Sequence, residues 1–212
     1  MRRASPAVSG RERAADLGVL VLGLILGICG ASALMTAALR VPHNPRDLVA
    51  AGLYAVGLIA MLGFSLLYRS ATEAARRRFL RRLDHAAIFV MIAGSATPFA
   101  LIGGGMHGAL GAAGLWAVAV IGAAFKLRFP IGGIRRSAAL YLVLGWAALF
   151  TIGPAFQGET AMLIAAGGIL YSAGVPFLLW WRLPYRLAIW HMFVLAGAAC
   201  QYAAILGLIA IR

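Results

Sequence analysis

Apolar residues in this chain come in long runs separated by short polar stretches. Seven runs reach the length needed to cross a bilayer: 17–39, 48–68, 85–103, 109–125, 137–156, 161–181 and 187–211. Inside lipid every backbone N–H and C=O must be satisfied within its own segment, so each run predicts a helix. Spanning strands would show as alternating segments of about ten residues, a pattern the sequence does not display. The expected architecture is an all-α membrane protein: a seven-helix transmembrane bundle over 17–212, preceded by a basic tail, 1–16.

The placement of charge orients this bundle. Of the 19 Lys and Arg residues, 16 fall in the tail and in the loops after the second, fourth and sixth runs. Only Arg40, Arg46 and Arg212 fall on the other side. Positive residues mark the cytoplasmic side, so the amino terminus is expected inside and the carboxyl terminus outside, an alternation that requires an odd number of spans. The first run is longer than the core of a cleaved signal peptide and is expected to be retained. A bacterial cytoplasmic (inner) membrane is the expected location.

Composition agrees, at 63% hydrophobic and 12% charged, and argues against a water-soluble domain. A net charge of +13 raises the question of nucleic acid. The basic residues sit between apolar runs, however, so the expected partners are membrane lipids, with anionic headgroups at the basic loops. Cys29 and Cys200 lie inside apolar runs and read as small buried residues rather than a disulfide. Small residues in "GAAGLWAVAVIGAA" and "IAAGGILYSAG" permit close helix approach. Pro98 and Pro176 predict kinks, and Trp180, Trp181 and Trp190 flank the loop 182–186 where an aromatic belt belongs.

A few polar residues share one depth near the basic side. Ser65 and Arg69 close the second run, Asp84 opens the third, and His191 lies one turn into the seventh. Each also has a plain structural reading. Arg69 could snorkel to headgroups, Asp84 could cap its helix, His191 could pair with Trp190, and Ser65 could bond its own backbone. His85 faces another direction and reads as structural, and His43 and His107 fall in outer loops.

The stretch "SLLYRS…RRLDHAAIFVMIAGSATPF" resembles the paired signature of the hemolysin III family, bacterial relatives of the adiponectin and progestin receptors, and "LAIWHMFVLAGAACQYAAI" is similar to the family's seventh helix. The resemblance implies a zinc ion held by one histidine on helix 2 and two on helix 7, with the helix 3 aspartate acting through a bound water. Two histidines four apart share a helix face, and zinc with an open position activates water. Here the helix 2 ligand position is Arg69, the first helix 7 position is Leu187, and only His191 remains. The family's later histidine is Gln201, about 15 Å along the helix from His191 at 1.5 Å per residue. Arginine stays protonated and offers only donors, so zinc is expected to be absent or weakly bound, with no other cofactor. An ion pair between Arg69 and Asp84 is then the expected replacement for the metal charge.

These residues imply a non-catalytic, metal-free protein of membrane-lipid homeostasis or sensing. A zinc-dependent lipid amide hydrolase, with Ser65 and Asp84 as candidate catalytic groups, is the alternative the resemblance carries. A channel or transporter lined by Arg69, Asp84 and His191 is a third. The family name implies haemolysis, but a lytic toxin would need secretion, which retained spans disfavour.

Overall fold

The structure is a computed structural model, and it describes residues 9–40, 45–129, 132–152 and 156–210. These form seven helices and no strand: α1 (Gly10–Arg40), α2 (Pro45–Ser70), α3 (Ala74–Ile102), α4 (Gly105–Arg128), α5 (Ile134–Ile152), α6 (Gly158–Leu179) and α7 (Arg186–Ala210). Six of them are long and apolar enough to cross a membrane. In α5 the arginines at 135 and 136 shorten the apolar part of a 19-residue helix.

Consecutive helices run antiparallel around α3. Along its most apolar stretch α3 is 78% buried, against 28% for α1 and 22% for α4. It therefore forms the axis, with α2, α4, α5 and α7 packed on it, and α1 closes the ring between α2 and α7. The outer faces are apolar: Leu26, Ile121 and Met162 are each at least 60% exposed. Such surfaces with six helices of spanning length suit a lipid surround, and the chain is a multi-pass integral membrane protein.

Glycine sets a close approach between α2 and α3. A Cβ on Gly94 would come within 2.7 Å of the Leu53 carbonyl oxygen, and one on Gly57 within 3.1 Å of the Met91 Cα. Across the bundle, the buried Tyr54 hydroxyl donates to the Ala198 carbonyl at 3.2 Å, tying α2 to α7. α3 and α6 continue through Pro98 and Pro176.

Two helices begin well before their apolar runs. α1 starts at Gly10, so residues 10–16 of the expected tail are helical. Ser9 and Glu12 close a reciprocal box: Ser9 N–H donates to Glu12 Oε2 at 2.8 Å, and Glu12 N–H to Ser9 Oγ at 3.2 Å. α3 starts at Ala74, so Arg76 to Arg82 are helical rather than loop. Alanine, arginine and leucine are strong helix formers, and no apolar stripe is needed to keep them helical. Asp84 is consequently not a cap; the N-cap is Glu73. Cys29 faces outward and Cys200 is half-buried, and both are free. Trp180 and Trp181 are exposed at the turn before α7, where an aromatic belt belongs, while Trp190 turns inward to line a cavity.

Candidate functional site

The antiparallel course brings the start of α1, the end of α2, the early turns of α3 and the start of α7 to one arginine-rich end. Three positions near the start of α1 hold that end together. Glu12 Oε1 accepts from the Tyr185 N–H at 3.0 Å, in the turn before α7. Arg13 donates to the Arg69 and Ser70 carbonyls at 3.2 Å each, satisfying the end of α2. Asp16, one turn beyond Glu12, points inward and is only 3% exposed.

Asp16 is the hub of the polar cluster. Its Oδ1 lies 2.6 Å from His191 Nδ1, and its Oδ2 lies 3.5 Å from Arg69 Nε. A carboxylate only accepts, so His191 donates through Nδ1–H, which leaves Nε2 with the lone pair when the ring is neutral. Arg69 Nε is buried and makes this charge contact without a hydrogen bond, and the guanidinium also lies 5.0 Å from the Tyr68 ring centroid. Beside this group the Ser65 hydroxyl donates to Asp84 Oδ1, both side chains being buried.

The pairing of Arg69 with Asp84 expected from the sequence is thus corrected: Arg69 faces Asp16, and Asp84 takes Ser65. The reason is depth. Ser65 and Arg69 lie one turn apart on the same face of α2. Asp84 is the eleventh residue of α3 rather than its first, which carries it past the level of Arg69 to that of Ser65. The level of Arg69 is filled by Asp16, from a segment that the hydropathy pattern assigns to a tail.

Ser65, Arg69, Asp84 and His191 do converge, on the wall of one cavity of about 200 Å³ between α2, α3, α5, α6 and α7. Its polar end also holds His85 and Tyr141. His85 Nδ1 is 3.1 Å from the Tyr141 hydroxyl, which donates to the His85 carbonyl at 3.0 Å. From there the wall turns apolar, through Ile88, Ile92 and Leu149, with Gln201 at some distance from the polar cluster. Leu187 is half-buried and His107 is exposed in the first turn of α4. His43 lies outside the described residues.

The donor set does not suit a zinc ion. Among the described residues no three His, Cys, Asp or Glu side chains gather where they could share a metal. At the cluster the one imidazole is bonded to a carboxylate, and that carboxylate is shared with a guanidinium.

Residues 20–202 match the family model described as haemolysin-III related. The chain is 38% identical over 164 residues to Hemolysin-3 of Bacillus cereus, covering 74% of each protein. It is 37% identical over 166 residues to a Hemolysin-3 homolog of Bacillus subtilis (strain 168), covering 76% of this chain and 77% of the relative. Asp16 precedes the matched segment, whereas Ser65, Arg69, Asp84 and His191 lie within it.

Proposed function

This chain belongs to the haemolysin-III related family, and we propose that it works there as a non-catalytic, metal-independent protein that holds a lipid chain in its cavity and senses or buffers membrane-lipid composition. The observation that carries this reading is the engagement of Asp16 with both Arg69 and His191. At positions 69, 187 and 191, where the family resemblance implies zinc ligands, stand a permanent cation, an apolar side chain and an imidazole already bonded to a carboxylate. The guanidinium would repel a dication. Asp16 and Arg69 together supply a compensated charge pair in its place.

The cavity supports a lipid occupant. Its polar groups gather at one end and most of the rest is apolar, with Ser95, Tyr171 and Gln201 as exceptions, and it lies between helices whose outer faces meet the membrane. Each buried methylene of a chain entering it contributes about 0.8 kcal/mol. The arginine-rich end faces the cytoplasm of a bacterial cell in this reading, with anionic headgroups against the first turns of α3.

One observation favours the lipid amide hydrolase instead. A carboxylate on the Nδ1 of a histidine is also how zinc-binding histidines are oriented. Elemental mass spectrometry of the purified, detergent-solubilised protein separates the two. The expected result is wild-type protein without stoichiometric zinc, and zinc gained by the double variant Arg69→His, Leu187→His, which restores the implied ligands. Near-stoichiometric zinc in the wild type, lost in His191→Ala, would overturn the proposal and favour the hydrolase.

A further inference from the structure

We propose that Lys126 and Ser137, beside the Tyr141 ring, form a docking site for the negatively charged head, carboxylate or phosphate, of a single-chain amphiphile whose tail lies in the cavity. The inference rests on the lipid occupancy proposed above. It adds a site on the α3–α4–α5 side, separate from the Asp16 cluster on α1, α2 and α7.

Lys126 is a buried ammonium that lacks an anionic partner. It lies in the last turn of α4, where a cation complements the helix dipole. Arg128, in the same turn, meets that need while remaining exposed. Lys126 instead turns inward and is 8% exposed. Its Nζ donates to Ser137 Oγ at 2.8 Å and lies 5.9 Å from the Tyr141 ring centroid. Among the described residues no carboxylate pairs with it: both ion pairs there centre on Asp16, and Asp84 takes Ser65. Arg81, from α3, adds a further positive charge to the same corner. A buried charge without its counter-charge is strongly unfavourable, and an ammonium has three donors of which Ser137 takes one.

The cavity supplies the place for the missing anion. Ser137 and Tyr141, one turn apart on α5, both line it, as does His85. Ser137 accepts from Lys126 and so keeps its own hydroxyl proton to donate. An anion reaching Ser137 from the cavity would meet that hydroxyl with the ammonium directly behind it. Beyond this corner the wall is apolar, at Ile88 and Leu142. That sequence of surfaces, cation and hydroxyl followed by aliphatic side chains, matches an anionic head on an alkyl tail.

Trp146 and Trp190 line the same cavity, so bromine-labelled ligands that quench tryptophan report on occupancy. The full-length protein in detergent is titrated with dibromostearic acid and with dibromostearyl alcohol, which has the same tail without the charge. The wild type is expected to prefer the acid by roughly tenfold, the worth of one charge-assisted hydrogen bond. Lys126→Met should abolish the preference by lowering acid binding to the level of the alcohol, and Lys126→Arg should keep it. Ser137→Ala, which leaves the ammonium in place, should reduce it in part. Oleoyl lysophosphatidate should compete with the acid; competition by inorganic phosphate at the same concentration would assign the site to a free anion and overturn the lipid source. An acid preference that persists in Lys126→Met would overturn this site and leave the lipid reading standing. If neither probe quenches the wild type, both fall.

Discussion

With one carboxylate oxygen on His191 and the other facing Arg69, Asp16 is, among the described residues, the only acidic side chain paired with either. Removing it leaves an imidazole and a guanidinium confronting each other without a counter-charge. Asp16→Ala is expected to destabilise the protein by about 3–5 kcal/mol, the usual cost of breaking a buried pair from one side. The double variant Asp16→Leu, Arg69→Met removes both charges and should recover more than half of that loss in denaturant unfolding in detergent. An equal or larger loss in the double variant would show that the pair matters for packing rather than charge. Four residues of the cluster were legible from sequence, because polar groups inside apolar runs stand out and their depths agree. Asp16 was not, because it precedes its run and its histidine lies 175 residues away. An acidic residue one turn after Glu12 in an otherwise basic segment was the available signal.

Helices are where the sequence is most readable and their starts least so. Hydropathy marks the lipid-crossing part of each helix, and all seven appear. It is blind to polar helical turns such as those from Ala74 to Arg82, whose stability comes from propensity, and those turns decide how deep Asp84 sits. The crossing of α2 and α3 depends on small residues that hydropathy weighs lightly. Gly94→Val should force the helices apart and lower stability by about 1–3 kcal/mol, as overpacking does, loosening the Ser65–Asp84 contact with it. Gly52→Ala, on α2 in open space, should be neutral or stabilising by up to about 1 kcal/mol. Thermal unfolding of both variants in detergent checks the contrast; equal effects would remove the α2–α3 crossing as its cause.

At the scale of the whole molecule, the ring closes between the first helix and the last. An odd number of crossings would place Gly10 and Ala210 on opposite faces, and the arginine excess predicts which face is cytoplasmic. Alkaline phosphatase, which is active only outside the cytoplasm, should be active when fused after Arg212 and inactive when fused after Arg128. The reverse pattern would invert the orientation, and inactivity at both sites would remove α5 from the membrane. The same closure has a consequence for biosynthesis. Asp16 enters the membrane with the first helix made, and His191 is translated 175 residues later. At about 5–20 residues per second, the carboxylate waits roughly 9 to 35 seconds for its second partner. During that interval the inward face of α1, with Leu20 and Leu34, has only α2 to lie against. A ribosome that stops before α7 releases a chain with an open seam beside α1 and a half-met carboxylate at Asp16.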